Sequence, residues 1–527
     1  MKYFTVWLST LIAFIITQPF AFSQRTTLAA DAEKAMLNAT KFMVEEVSTQ
    51  GGYASIYLPD FSRRWGELES YETQVWVQDP GTVSMGNLLL DAYHATGDEY
   101  YYQAAEKAAE ALIWGQLPCG GWNYIIDFAG DRSLKEWYNT IGKNAWGFEE
   151  YYHYYGNATF DDVNTSEAAK FLLRIYLRKL DPKFKPALDN AIAFILESQY
   201  PLGGWPQRYP LKDNYPHGEL ADYTSFYTFN DDVIWGNIAF LIDCYVTLGQ
   251  ERLLDPIHRG MNFYLITQQG NPQAGWGQQY DMDLKPAHAR TYEPPALLPG
   301  RTYTNAMLLL RFYEFTGDRR FLSRVPDAIQ WLEDSRLPAS QTEGGKYTHP
   351  TFVEIGTNKP IYAHRKGTGV RDGRYWWDYS DENQLAHYGG KGRIEIDRLK
   401  QEYERVNALS PTEATVNSPF RTSAHKKNLT PQEEYELQCQ VKVEAPDPSE
   451  VKGIINSLDE RHRWLVTNVQ ISRPYAVSET GEETNTAKLS DENGRGIRDT
   501  SGQQYISTRE YENNMRKLIS FIQKQKP

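Results

Sequence analysis

The sequence predicts an all-α chain, an α/α toroid in which helical hairpins close around a central cleft. Three observations carry this reading. A glycine–aromatic block recurs along the chain: "GGYASIYLPD" at Gly51, "GGWNYIIDF" at Gly120, "GGWPQRYPL" at Gly203, "AGWGQQYDM" at Ala274 and "GGKYTHPTF" at Gly344. The second glycines, Gly52, Gly121, Gly204, Gly275 and Gly345, stand 69, 83, 71 and 70 residues apart. A period near 70 is long for a short solenoid repeat but fits two helices and a long loop. Between the blocks lie paired segments with apolar residues at helical spacing, joined by short turns such as "TGD" at 96–98 and 316–318.

Taken in order, the chain opens with "MKYFTVWLSTLIAFIITQPFAFSQ". One cation, Lys2, precedes an apolar run from Phe4 to Ile16, with the small residues Ala21 and Ser23 behind it. This layout predicts a signal peptide over residues 1–23 and a secreted or periplasmic protein with no membrane segment after cleavage. A lone helix, "AEKAMLNATKFMVEEV", follows. The hairpins then run through "DDVIWGNIAFLIDCYVTLG" with "ERLLDPIHRGMNFYLITQQ", and "RTYTNAMLLLRFYEFTGD" with "RRFLSRVPDAIQWLEDS". Their long aromatic loops fall at one rim, where their side chains converge. Residues 24–380 form the toroid in this reading. Residues 381–527 read as a partly loop-rich C-terminal extension whose last helix, "STREYENNMRKLISFIQK", packs back on the N-terminal helix.

Composition narrows the function. The net charge of −13 argues against nucleic acid as a partner. Cys119, Cys244 and Cys439 are too few and too scattered for a disulfide framework or a zinc site. Nothing in the sequence predicts a state other than a monomer. An aromatic content of 14% suits sugar binding, and it also suits a large core with aromatic-lined loops.

Three stretches carry polar groups beyond what their secondary structure needs. "TFDDVNTSEAAKFLL" places Asp161 and Asp162 ahead of a helix, and "YTFNDDVIWGNIAFL" places Asn230, Asp231 and Asp232 likewise. Asp and Asn cap helices and offset the macrodipole. Two such clusters opening helices of consecutive repeats also project carboxylates onto one rim, as a hard cation such as calcium requires. The third stretch is a pair of basic loops, "KPAHARTYEPP" with His288 and Arg290, and "VEIGTNKPIYAHRKG" with Lys359, His364 and Arg365. Arginine suits a planar carboxylate. Acidic clusters and basic loops on one rim suit an acidic sugar.

"GGWPQRYP", "YTFNDD", "ARTYEPPAL" and "EIGTNKPIYAHRKG" resemble, in that order, the signature segments of the pectate lyases of polysaccharide lyase family 10. The resemblance covers residues 140–370. It implies a helical toroid that binds polygalacturonate with Ca2+ and cleaves it by β-elimination with an arginine base. By position, Asp231 matches the calcium-linked aspartate, with Asp161 as the upstream active-site aspartate, Arg290 the base and Arg365 a substrate-binding arginine. Lys359, Trp205, Arg208 and Tyr292 lie in the matched blocks as further candidates for substrate contact. Two departures stand out: "TFDDVNTSE" replaces the family's "DNGAT"-type segment, and Thr351 in "PTFVEIGTN" stands where an arginine is common. An inverting glycoside hydrolase using Asp161 with Asp231 or Asp232 is an alternative. So is a pectin-binding protein with impaired catalysis.

Overall fold

The computed structural model describes residues 27–144, 149–211, 215, 220–366, 374–385, 390–421, 441–471, 475–477, 483–485 and 497–525. The segment expected as a signal peptide, residues 1–23, lies outside the described residues, as does Cys439. Among the described residues no helix is long and apolar enough to cross a membrane.

Helical hairpins dominate. The lone helix α1 (Thr27–Phe42) is followed by α2 (Thr82–Thr96) with α3 (Glu99–Gly115). Then come α4 (Asn164–Lys179) with α5 (Lys185–Glu197), α6 (Val233–Leu248) with α7 (Leu254–Thr267), and α8 (Pro299–Thr316) with α9 (Val325–Asp334). Beyond the last of these lie α10 (Ile396–Asn407), α11 (Pro448–Asn456) and α12 (Thr508–Lys524). The first helix of each hairpin lies on the inner side. These inner helices follow one another, α12 on α2, α2 on α4 and α4 on α6, while α3, α5 and α7 back them from outside. Trp235 of α6 continues the row to Phe312 of α8 at 6.1 Å between ring centroids. Close approach needs small residues at the crossings. A Cβ on Gly86 of α2 would stand 2.3 Å from the Phe171 ring of α4. This is the α/α toroid architecture expected from the repeat.

The recurrent glycine–tryptophan block is the joint of each hairpin. Trp122, Trp205 and Trp276 are fully buried. Each gives its indole N–H to a carbonyl near the end of the preceding outer helix: Leu112 at 2.7 Å, Ile195 at 2.8 Å and Tyr264 at 3.0 Å. The same indole is thereby anchored to the helix before it while its ring fills the gap to the next hairpin. The glycine before it has no alternative. Gly203 sits at φ +108°, and a Cβ there would lie 2.1 Å from the Arg259 carbonyl oxygen.

Within residues 448–525, expected as part of an extension, the described residues contain the same kind of joint. Trp464 gives its indole N–H to Ile454 of α11 at 2.9 Å, the spacing used by Trp122 and Trp205. A strand pair, Leu465–Val466 with Tyr505–Ser507, then leads into α12. Helix α12 packs between α2 and α1, and Thr40 of α1 shares a 2.6 Å hydrogen bond with Tyr511. One hydrophobic cluster runs from Ala29 to Ile522.

Glu512 of α12 is buried against α2, and burial pushes its carboxyl up to about 7. A raised carboxyl favours the folded state only while protonated, so stability falls as pH rises from the ordinary glutamate range through 7. Glu512→Gln removes this dependence. Its melting temperature, compared with the parent by thermal scan, is expected to match near pH 4.5 and to be higher at pH 8, reflecting a stability gain of roughly 3 kcal/mol at most.

Candidate active site

Two inner helices begin in the same unusual way. Before α4 the backbone turns through Asp162 (φ 48°) and Val163 (φ 52°), and before α6 through Asp231 (φ 49°) and Asp232 (φ 55°). Pairs of non-glycine residues in the left-handed region are costly, and Asp tolerates it better than most residues. The two turns pack directly against each other. In backbone terms Asp162, not Asp161, is the counterpart of Asp231, while Asp161 corresponds to Asn230. Side chains pair differently: the Asp161 and Asp231 carboxyls lie within hydrogen-bonding reach of each other.

Asp161 is buried and fixed from two sides. Tyr124 Oη donates to its Oδ2 at 2.6 Å, and Gln207 Nε2 donates to its Oδ1 at 2.6 Å. Asp231 is partly exposed and accepts from Asn230 Nδ2 at 2.7 Å. Burial, then the charges of Asp161 and Asp162, hold the Asp231 carboxyl well above the usual carboxylate range, with Arg290 acting in the opposite direction. Asp162 is exposed beside them and accepts from Gln78 Nε2 at 3.2 Å. Asp232 points to Arg301 at 2.6 Å. Among the described residues no group of three or more His, Cys, Asp or Glu side chains is gathered as a metal cage.

Arg290 lies close enough for its charge to act on Asp231, and it is tied to two glutamates. Nε meets Glu293 at 2.8 Å and Nη2 meets the other oxygen of Glu293 at 3.3 Å. Nη1 meets Glu150 at 3.2 Å. The neighbouring Glu149 accepts from the Thr291 backbone N–H at 3.0 Å and from the Thr291 hydroxyl. The 149–150 segment therefore straps the arginine loop to the rim. Glu150 and Glu67 are pushed up to about 7, both chiefly by burial; Arg290 opposes this at Glu150, and the Glu150 charge adds to it at Glu67. A guanidinium, two carboxyls of raised affinity for protons and a pair of opposed aspartates thus lie close together.

The remaining sequence-derived candidates are placed as follows. Trp205 is corrected: it is 0% exposed with its N–H committed, so it offers no face to a ligand. Arg208 is corrected as a direct contact for the same reason. At 1% exposure it lies beneath the aspartates, 5.1 Å from the Tyr124 ring and 4.7 Å from that of Tyr155. Tyr292 is also fully enclosed, between the Arg290 guanidinium at 5.4 Å and the Tyr375 ring at 4.7 Å. The aromatic residues of these motifs are spent on joints and walls. Lys359 is exposed over the Tyr379 ring at 5.2 Å, and no described contact joins it to the aspartates. Arg365 lies on the strand Pro360–Lys366, opposite Tyr375. His288 is turned to the Ala221 carbonyl at 3.0 Å.

Sequence reasoning missed Glu150, Glu67 and Glu293. Glu293 was visible three residues beyond Arg290. Glu150, 140 residues before Arg290, had no local signal linking the two.

The fold and cleft define a helical-toroid protein with an acidic rim site and a buried arginine. Residues 135–376 match the family model described as pectic acid lyase. Among curated proteins none matches the chain. Similar solved structures include a family 10 polysaccharide lyase variant from Cellvibrio cellulosa in complex with trigalacturonic acid, at 18% identity, 61% of this chain, 98% of that chain and TM-score 0.41. Others are a cellobiose 2-epimerase from Bacillus thermoamylovorans (11% identity, 93% and 99% covered, TM-score 0.40) and a variant α-1,6-mannanase from Salegentibacter sp. (12%, 94% and 99%, TM-score 0.34). At these scores the likenesses add nothing to the architecture described above.

Trp205→Ala is expected to cost about 3–5 kcal/mol of stability through the cavity it leaves. Chemical denaturation checks this. The folded fraction at low temperature should bind a galacturonate oligomer as the parent does, because the indole does not face the cleft.

Proposed function

We propose that the protein is a secreted, calcium-dependent pectate lyase that cleaves polygalacturonate by β-elimination, with Arg290 as the base. The observation that carries this reading is the meeting of Asp161, Asp231 and Arg290 in one rim cleft inside the family-matched span. Polygalacturonate carries a carboxylate on every sugar, and the proton removed lies α to that carboxylate.

The aspartate pair fits a hard cation. Its donors are carboxylate oxygens, and burial together with the charges of Asp161 and Asp162 raises the proton affinity of Asp231, with Arg290 only partly offsetting them. Asp161 and Asp231 would hold calcium, leaving part of its oxygen shell to the sugar carboxylate. Calcium bound there would stabilise the negative charge that develops on that carboxylate as the proton leaves.

Arg290 faces a different requirement. A guanidinium is protonated in water, and here two carboxyls engage it. To accept a proton it must lose that stabilisation when substrate binds. Glu150, pushed up to about 7, is the partner suited to give up its charge. Glu293, bound through two oxygens, keeps the guanidinium plane fixed. Tyr124 and Gln207 hold Asp161 in place from below.

Polygalacturonate incubated with the protein should yield products with the ultraviolet absorbance of a new double bond, and a chelator should abolish it. Arg290→Ala should lower kcat by about 10³-fold while binding persists. A hydrolytic product, or near-normal turnover in Arg290→Ala, would overturn the base assignment. Asp231→Asn tests the cation site without turnover. At neutral pH, well above the usual aspartate range, the parent carries the cost of the crowded carboxyls. The variant should melt higher in chelator, and calcium should raise the melting temperature of the parent much more than that of the variant.

A further inference from the structure

The antiparallel strands Pro360–Lys366 and Arg374–Asp378 pair Ala363 with Trp377, His364 with Trp376 and Arg365 with Tyr375. Alternate residues of a strand face opposite ways, so Tyr375 and Trp377 share one face and Trp376 lies on the other. Tyr375 is the residue stacked on Tyr292, which in turn lies against Arg290. Trp377, about 7 Å further along the same face, is 38% exposed. The aromatic surface is therefore continuous with the cleft wall and leads away from Arg290.

Its neighbours are held rigidly yet remain open to solvent. Trp376 stacks on His364 at 5.3 Å and 19°, and its indole N–H reaches Asp378 at 3.2 Å, while 37% of the residue is exposed. Tyr379 is 54% exposed, with its hydroxyl on Glu354 at 2.9 Å and the Lys359 ammonium over its ring. Single exposed apolar residues are ordinary, but Trp377 and Tyr379, two large exposed rings two positions apart, are a patch the fold does not require. Indole faces bind the CH faces of pyranose rings, and a lysine beside them suits sugars that carry carboxylates.

We propose that Trp377, with Tyr379, forms an outer subsite that stacks sugar residues of a polygalacturonate strand beyond those held at Arg290. This rests on the function proposed above and extends it to substrate length. A ligand long enough to reach the hairpin gains these contacts; a short one does not.

The test uses the full chain and compares the parent, Trp377→Ala, Trp377→Phe and Trp377→Ala/Tyr379→Ala. Kinetics are measured on polygalacturonate and on trigalacturonate, and binding by retardation in gels containing polygalacturonate. In Trp377→Ala the ratio of kcat/KM on polymer to that on trimer should fall about tenfold, through KM, and retardation should weaken. Trp377→Phe should recover most of both. An unchanged ratio and unchanged retardation in the double variant would overturn the proposal. So would equal losses on trimer and polymer, which would mark the hairpin as a support for the Arg290 loop. If the parent makes no unsaturated product, the lyase reading fails separately, and gel retardation alone decides the subsite: reduced in the alanine variant, it stands; unchanged, it falls.

Discussion

The site depends on two carboxyl groups that would repel each other if both were ionised. Asp161 and Asp231 come from consecutive hairpins and meet because the turns before α4 and α6 pack together. Each turn runs through two residues of positive φ, a conformation that side-chain-bearing residues adopt only when the surroundings impose it. The surroundings here are the hydrophobic layer of the inner helices. Strain and repulsion are both offset by burial elsewhere, and the carboxyl groups stay gathered on the rim.

The cleft is layered. Directly below the aspartates, Tyr124 and Gln207 fix Asp161, and Arg208 lies among tyrosine rings beneath it. Arg208 is a positive charge without access to solvent, and its field acts on Asp161. To one side, Glu149 and Glu150 strap the loop that bears Arg290. Outward from Arg290, stacked tyrosines lead to the hairpin of Trp376 and Trp377. Carboxyl groups, a guanidinium and aromatic rings are therefore gathered from separate stretches of the chain.

The repeat explains how one rim can collect so many groups. Each glycine–tryptophan joint anchors an indole to the outer helix behind it and seats the next inner helix in front. That fixes the level at which each loop emerges. The C-terminal helices obey the same rule through Trp464, which places α12 against α2 and completes the packing of the N-terminal side. A segment with no periodic glycine block thus belongs to the same helical layer as the obvious repeats.

Helical periodicity, the spacing of the glycine blocks and the aspartates opening α4 and α6 were legible in the amino-acid order because each is set by local geometry: helical pitch, positive φ and caps. Arg290 on the same rim as the acidic clusters was legible from its loop, and its role was suggested only through the resemblance of its motif. What the order of residues left open was which groups face the cleft. Trp205, Arg208 and Tyr292 stand in the same motifs as Arg290, yet the first fills a joint and the others lie in the wall. Glu150 entered the site from 140 residues away. Burial and long-range pairing are decided by how the hairpins stack, and no local property of a side chain specifies which side of that stack it will occupy.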